Sequence, residues 1–582
     1  MKPMQLPSII RLAKQSRDVL QRFPWTMLAA SVAAAAAIVA TTKSADDAWG
    51  RLAMVAALGL ALTIALTLLA EGRRLSPTAT TALNVAGIGL LVLLYFAWPG
   101  PERKHEAIRY FQLSAGLHLL VAFLPFVRQP ETGAFWQYNR RLFLGFLRAY
   151  IFSQVLFIGL AIALGALDKL FGVDVPAELY GRTALIIGLV VNTAIFLGAV
   201  PLGLRELAAD TEYPRVLKLF SQYILTPLVF VYLLILIAYL VKIVAQGEWP
   251  SGWIGWLVTS VAIAGLLGFL LVHPLRDDAA EPWIRTYSRG LFLGLIPAAV
   301  MLLVAFWKRI IPYGLTELRL LGILLGLWLL VIAVWYTVRQ RAGIRLIPLT
   351  LAILLLGTVY GPFSVTRLSV ASQGSRLKAL ISEARSGRPD NREASAALRF
   401  LLDHGAQGEI AAAIPGELPA ANWSRVPDHR NERDSTASLI MAAAGMRYLT
   451  EHSFSRSGSV YFAARRDRAV AIEGYQWSIP VSAHDSRVIL AGADSVRTVF
   501  DTLGFTRVIV GRDTLTFDLR PLARDIAADS TLVPYEVAPA RMRLRSVAGA
   551  MRAMLALETM TGHWVGDSVR IQSWQGTLFL AR

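Results

Sequence analysis

Apolar runs of about 20 residues recur along the chain from Trp25 to Phe363, separated by short polar loops, and then stop. A helix rises 1.5 Å per residue, so about 20 apolar residues match a hydrocarbon core of about 30 Å. The pattern predicts eleven spans, near residues 25–41, 52–70, 80–98, 109–127, 142–167, 183–203, 219–241, 252–273, 288–307, 318–337 and 345–363. Beyond them, short amphipathic and alternating segments take over. We therefore predict a polytopic α-helical membrane bundle of about eleven transmembrane helices, followed by a soluble α+β domain with an antiparallel sheet.

The same pattern divides the chain into four parts. Residues 1–365 form the transmembrane domain, 366–406 a juxtamembrane helical segment, 407–433 a linker and 434–582 the α+β domain. Two short helices are predicted around Leu377 and Leu401, and Asp434 is a candidate cap for a helix reaching about Leu449. Strands are predicted at SVYFAA, AVAIEG, RVILAG, TRVIVG, TLTFDL, SVRIQS and GTLFLA, with a helix at DSVRTVFDTLG.

Composition agrees with a membrane protein and excludes a wholly soluble one. The chain is 55% hydrophobic and 17% charged, with a mean hydropathy of +0.50, whereas a soluble domain carries about 25% charged residues. The formal net charge of +18 comes mostly from loops between spans, so no nucleic-acid partner is expected. The chain has no cysteine, which excludes disulfides and thiolate metal sites.

Lysine and arginine are distributed unequally between alternate loops. The side that holds the N-terminus collects 19 of them and the other side 11. Cytoplasmic loops are enriched in these residues, so the N-terminus is predicted to be cytoplasmic and the domain after an odd number of spans extracytoplasmic. The first span could instead be a cleaved signal peptide, which would leave the last domain on the same side.

Polar residues inside the spans are few. Arg148 lies about 9 Å into its span and could extend its guanidinium back to the interface. Gln154, Asn192, Gln222 and His118 could hydrogen-bond between helices or line a cavity. No span carries a pair of acids, which weakens the case for a proton-coupled carrier.

Signatures of catalysis are missing from the sequence. HExxH, GxSxG, GxGxxG and GxxxxGK[ST] do not occur, and the histidines lack ligand spacing. His404, in the DHG sequence, is expected to sit at a helix end rather than to perform acid–base chemistry. We therefore expect no metal and no cofactor, and an enzyme is not the favoured class.

Four stretches in a fixed order resemble a family of bacterial multi-span proteins, the domain of unknown function 4153. They are FWQYNRRLF with the later LYGR, EYPRVLKLFSQYILTPLVFVYLLILIAYLVKI with WPSGWIGWLV, PYGLTELR, and GPFSVTRLSVASQGSRLKAL. The resemblance covers roughly residues 110–405. It implies membrane location and brings no activity, cofactor or catalytic residue.

Two of these stretches supply the candidate functional residues. Tyr313, Thr316, Glu317 and Arg319 fall in the loop between the ninth and tenth spans; Ser369, Ser372, Gln373 and Arg376 follow the last span on the same predicted side. Glu317 could bind a cation or pair with an arginine. Alternatively, Thr316 caps the tenth helix and Glu317 complements its dipole. The shared side predicts that the second group docks on the loop.

Three functions fit these expectations. The favoured one is a bacterial inner-membrane protein that anchors an extracytoplasmic domain, and this domain acts through envelope proteins or lipids. The expected partners are therefore the lipid bilayer and an envelope protein or lipid. The second is a transporter or channel with a regulatory C-terminal domain. The third is an integral-membrane enzyme on lipid or glycan precursors, which would need acids or histidines clustered at one interface.

Overall fold

The fold was analysed in a computed structural model of the chain. It describes residues 9–42, 47–100, 104–128, 132–203, 207, 213–247, 253–276, 281–339, 342–387, 390–414, 430–449, 459–464, 472, 474–484, 487–492, 494–501, 504–528, 536–565 and 568–582. The chain forms two compact units, Met1–Arg376 and Leu377–Arg582. They are described separately.

All regular secondary structure among the described residues of the first unit is helical. Its helices are α1 Ile9–Arg22, α2 Pro24–Ala40, α3 Asp47–Gly72, α4 Pro77–Ala97, α5 Lys104–Phe123, α6 Thr132–Phe171, α7 Ala177–Ile186, α8 Asn192–Leu197, α9 Arg215–Leu219, α10 Thr226–Gln246, α11 Trp253–Val272, α12 Trp283–Tyr313, α13 Glu317–Val338 and α14 Leu346–Gly357, followed by the start of α15 Val365–Arg385. In the part of the unit that the structure describes, two π-helical segments interrupt this order, Ile187–Val191 before α8 and Phe220–Leu225 before α10.

Each of the eleven predicted spans coincides with a helix or a broken helix. Within the described residues, nine helices are long and apolar enough to cross a bilayer, and α1 with α2 makes a tenth if the bent pair is one span. The eleventh, α14, has only 12 residues. The membrane bundle is thus confirmed, while the count of eleven stays a prediction.

Small residues let these helices approach closely. A Cβ atom on Gly294 would lie 2.5 Å from Leu233, and one on Gly322 would lie 2.2 Å from Phe306. Such close approach is how helices pack in lipid, where burying apolar surface gives little advantage. One continuous apolar core extends from Val19 to Ala352.

The second unit begins with helices and continues with strands. The end of α15 is followed by α16 Asn391–Asp403, α17 Gln407–Ala413 and α18 Arg430–Ala443. The strands are β1 Ser459–Ala464, β2 Trp477–Ser482, β3 Val488–Ala491, β4 Asp494–Phe500, β5 Phe505–Val510, β6 Asp513–Asp518, β7 Glu536–Val537, β8 Arg543–Ala548, β9 Met551–Val565 and β10 Ser568–Ala581, with α19 Arg520–Ala528 between β6 and β7.

The strands form two sheets. One has the order β2-β10-β9-β1-β7, with β8 also paired to β9, and the other is the meander β3-β4-β5-β6. Among the strands that the structure describes, all pairings are antiparallel except that of β1 with β7. The α+β class with an antiparallel sheet is therefore confirmed, with one parallel pair that the sequence pattern did not predict.

Several local predictions in this unit are wrong. DSVRTVFDTLG begins with strand β4 rather than a helix, because Val496 and Thr498 alternate inward and pair with β5. SVRIQS and GTLFLA belong to one strand, β10, which is continuous through two irregular registers. The helix expected to start at Asp434 starts earlier and ends at Ala443, before Gly445 with φ 71°. Most of AVAIEG and residues 415–429 of the predicted linker lie outside the described residues.

Candidate functional site

The loop that contains PYGLTELR, residues 312–319 (the 312–319 loop), joins α12 to α13 through a sharp turn. Gly314 has φ 66° and ψ 178°, a backbone region that only glycine occupies readily. A Cβ atom there would lie 2.8 Å from the Gln373 amide nitrogen. The glycine therefore permits both the turn and the approach of α15.

The polar face of α15 binds the backbone of this loop. Gln373 Nε2 donates to the carbonyls of Tyr313 at 3.0 Å and Leu315 at 2.8 Å. Ser372 Oγ accepts from the Leu315 amide at 3.1 Å, and the Arg376 guanidinium donates to the Pro312 carbonyl. Main-chain groups that two helix ends leave unpaired thus find partners on a third helix. The structure brings the two predicted groups of residues together.

Two guanidinium groups flank the Tyr313 ring. The Arg319 Cζ lies 5.5 Å and the Arg376 Cζ 6.0 Å from the ring centroid, within the range of cation–π contacts. Arg319 Nη1 also donates to the carbonyls of Tyr313 and Gly314 at 3.0 and 2.8 Å. The two arginines therefore hold the side of the turn formed by residues 312–314, one from α13 and one from α15.

Thr316 and Glu317 occupy the start of α13. Thr316 is at the N-cap position, but its side chain makes no capping hydrogen bond, so that part of the capping hypothesis is wrong. Glu317 lies in the first turn with 5% of its surface exposed, where a negative charge complements the helix dipole.

Ser369 lies one turn before Ser372 on the same helix. It is fully buried, and its hydroxyl has no hydrogen-bond partner among the described residues. Gln373 is also buried. The inward face of α15 is therefore polar and enclosed.

The three intramembrane polar residues do not meet. Arg148 and Gln154 are exposed on α6. Asn192 follows the π-helical segment Ile187–Val191 and accepts a hydrogen bond from the buried Ser153 hydroxyl at 3.3 Å. Asn192 thus joins α8 to α6, which is the commoner of the two uses expected for such a residue.

A second charged contact lies at the bend between α1 and α2, and the sequence reading missed it. Arg22 makes a two-pronged salt bridge to Glu71, with both distances 2.8 Å. Its other donors reach the carbonyls of Val200 at 2.9 Å and Pro201 at 2.7 Å. One sequence feature indicated this contact: Arg22 precedes the first predicted span and Glu71 follows the second, so both are expected on the same side of the membrane.

Two other groups of polar contacts each link the end of one helix to another segment of the first unit. Glu281 accepts from Lys218 and, at 2.6 Å, from the Trp283 indole. These donors lower the pKa of the Glu281 carboxyl, with Lys218 as the larger cause. Glu106 binds Arg109 at 2.6 Å beside Tyr360, whose ring centroid is 5.0 Å from the guanidinium.

The helical part of the second unit has a small polar network. Arg399 donates to the Tyr448 hydroxyl at 3.2 Å, and that hydroxyl donates to Asp434 at 2.7 Å. Burial, together with this bond to Asp434, raises the pKa of Tyr448 to about 12. His404 stacks on Phe400, and its Nδ1 lies 2.6 Å from the Phe400 carbonyl. The first arrangement joins α16 to α18 and the segment after it, and the second lies within the C-terminal turn of α16.

Within the described residues, no group of three or more histidine, aspartate or glutamate side chains is arranged to hold a metal ion. The polar contacts instead join helix to helix and loop to helix. Long apolar helices, interhelical hydrogen bonds and a separate sheet-containing unit define a multi-pass membrane protein with an α+β tail.

The family profile described as Domain of unknown function (DUF4153) matches residues 27–380. The chain belongs to this family, which confirms the resemblance found in the motifs. The matched region begins earlier than the predicted residues 110–405 and also ends earlier, at residue 380. The chain is also 26% identical over 309 residues to the uncharacterized protein PM1469 of Pasteurella multocida (strain Pm70), covering 52% of this chain. The match spans about half the length of that relative, 51%. No solved structure matches this chain.

Proposed function

We propose that this protein is a bacterial inner-membrane protein whose helical bundle anchors an extracytoplasmic domain, and that this domain acts through envelope proteins or lipids. The observation that carries the proposal is how polar groups are used in the first unit. Asn192, Thr26 and the polar face of α15 bond to neighbouring helices or to the backbone. They fix helices together, as an anchor requires.

The contacts of α14 support an odd number of crossings. At one end, Arg345 lies 5.7 Å from the Phe126 ring centroid. At the other end, Gln112 Nε2 donates to Thr358 at 3.0 Å and Arg109 lies over Tyr360. The segment that contains α14 therefore runs antiparallel to α5 along most of its length. Since α5 is itself long enough to span, we count α14 as an eleventh crossing despite its 12 residues.

With eleven crossings, the two ends of the bundle fall on opposite sides. The side of Arg22, Lys218 and Arg345 is the one with the larger number of basic residues, which favours a cytoplasmic position. The 312–319 loop and the start of α15 then lie on the extracytoplasmic side.

Fusions test this arrangement. Alkaline phosphatase and, separately, green fluorescent protein are joined after Arg582 and, as matched controls, within the loop after α13. We expect active phosphatase at Arg582 and fluorescence at the control position. Fluorescence at both positions would contradict the anchor of an extracytoplasmic domain and turn the tail into a cytoplasmic one.

A transporter or channel is the second candidate, and one observation favours it. Two spans contain π-helical segments, Ile187–Val191 and Phe220–Leu225, and such segments are frequent at functional sites. The second is followed by Pro227, whose missing amide hydrogen explains the altered bonding. Ion flux into proteoliposomes under Na⁺, K⁺ and H⁺ gradients tests it; a flux lost in Asn192→Leu would favour transport over anchoring.

A further inference from the structure

Helix α1 meets α2 at a sharp bend. The axes of Ser16–Arg22 and Pro24–Ala40 differ by 101°. Pro24 has no amide hydrogen to continue the first helix, and Phe23 leaves helical geometry with ψ 51°. With α2 alone as the crossing of this bent pair, its 17 residues rise about 26 Å. Because transmembrane helices tilt by only about 20° on average, α1 then extends nearly parallel to the membrane plane.

The bend is fixed by the bundle. Arg22 is held by Glu71 and by the Val200 and Pro201 carbonyls, and Phe23 is 1% exposed. Val19 is buried on the side of α8, where it lies 3.8 Å from the Cβ position of Gly198. These contacts with the bundle therefore determine the direction of α1.

The sequence of α1 is amphipathic. It contains Arg11, Lys14, Arg17 and Arg22 against one acid, Asp18. At 100° per residue, positions 11, 14, 17 and 18 fall within an arc of about 120°. Four apolar positions, 9, 12, 19 and 20, fall on the other side, and Ile10 is the apolar residue that falls within the basic arc. Among the described side chains, Leu20 is 52% exposed, and Arg17 and Gln21 are exposed as well.

We propose that α1 is an interfacial helix that binds the headgroups of anionic phospholipids. Its apolar side, including Leu20, enters the acyl boundary, and its basic side contacts phosphate groups. A basic amphipathic helix in the interface plane gains both buried apolar area and attraction to negative lipid. Anionic lipid complements both features at the level where the bend holds the helix.

The 582-residue chain offers a direct test because it has no cysteine. One cysteine is introduced as Leu20→Cys or Gln21→Cys, labelled with a fluorophore, and the protein is placed in nanodiscs of phosphatidylcholine with or without phosphatidylglycerol. We expect brominated lipid to quench the label at position 20 and iodide to quench the label at position 21. Equal access of iodide to both labels would overturn the interfacial position.

Lipid selectivity is measured with brominated phosphatidylglycerol against brominated phosphatidylcholine. Each basic residue near an anionic surface raises the relative association by up to about fivefold. We expect the preference to fall at high salt in the unchanged sequence, and to be mostly lost in Arg11→Gln/Lys14→Gln/Arg17→Gln. Equal quenching by the two lipids, at low salt, would overturn the proposal.

A matched variant distinguishes the effect of the basic residues of α1 from the effect of the net charge of the protein. Arg497→Gln/Arg545→Gln/Arg552→Gln removes the same charge from exposed positions of the second unit. We expect its lipid preference to equal that of the parent. If this variant lost as much preference as the α1 variant, net charge rather than α1 would account for the selectivity.

Discussion

At the scale of single residues, Gly314 is the position on which the 312–319 loop depends most directly. With φ 66° and ψ 178°, any side chain there is strained, and a Cβ atom would also meet Gln373 at 2.8 Å. We expect Gly314→Ala to destabilise the protein by about 1–3 kcal/mol. Thermal unfolding of the full chain in detergent, followed by circular dichroism, measures the loss.

Gly343→Ala is the control for this prediction. Gly343 has open space around its Cβ position and no positive φ, so the unfolding midpoint should stay close to that of the parent. If Gly314→Ala behaved like Gly343→Ala, the contact between the loop and α15 would contribute little to stability.

Glu281 provides a pH-dependent contribution. Its pKa is lowered from an ordinary value of 4.5 by Lys218 and by the Trp283 indole, so its stabilising effect is present above that value and lost as pH falls through the lowered pKa. We expect Glu281→Gln to be less stable than the parent at neutral pH by about 0.5–1 kcal/mol. Unfolding midpoints across acidic and neutral pH should converge for the two proteins at the acid end; a constant difference would contradict the assignment.

At the scale of helices, α2 and α3 are joined by a hydrogen bond between two fully buried hydroxyls. Thr26 Oγ1 and Thr63 Oγ1 are 2.8 Å apart. Such bonds between transmembrane helices contribute about 0.6 kcal/mol on average. We expect a double-mutant cycle of Thr26→Val and Thr63→Val, measured by unfolding in bicelles, to give a coupling of about this size.

The same cycle with Thr41→Val in place of Thr26→Val is the control. Thr41 is exposed, and its hydroxyl bonds to the Ile38 carbonyl of its own chain segment. Its effect should therefore add to that of Thr63→Val without coupling. Equal coupling in both cycles would show that the method reports general loosening of the bundle.

The sequence predicted helices better than strands, for a physical reason. Each span must satisfy its own backbone hydrogen bonds in lipid and is therefore visible as one continuous apolar run. A strand depends on its neighbours. Val496 and Thr498 of β4 fit either a helix or a strand by pattern, and only pairing with β5 decides between them. Likewise β2 contains Pro480, which argues against a strand unless its partner strand is known.

The contacts of the candidate site were also only partly predictable from the sequence. Shared sidedness was enough to predict that Ser372 and Gln373 lie near the 312–319 loop, whereas their partners are main-chain atoms of that loop, which no residue pattern identifies. Arg22 and Glu71 were missed because their separation in sequence, 49 residues, carries no spacing signal.

At the scale of the whole molecule, each unit has its own apolar core. The core of the first unit ends at Ala352 and that of the second begins at Phe462. We expect Leu515→Ala, at a fully buried position of the second core, to cost about 2–5 kcal/mol and to lower one calorimetric transition only.

Leu295→Ala is the matched substitution in the first core, since Leu295 is equally buried. It should lower a different transition in a calorimetric scan of the full chain. If both variants shifted one common transition, the two units would unfold together and the separation of cores would have no thermodynamic counterpart.

The shortness of α14 has a consequence for the membrane itself. Twelve residues rise only about 18 Å, about 12 Å less than an average hydrocarbon core, and Ile353 on this helix is 62% exposed. A bilayer meets such hydrophobic mismatch by thinning locally, at a fraction of a kcal/mol per Å. With α14 counted as a crossing, as proposed above, we expect short-chain lipids to collect beside it.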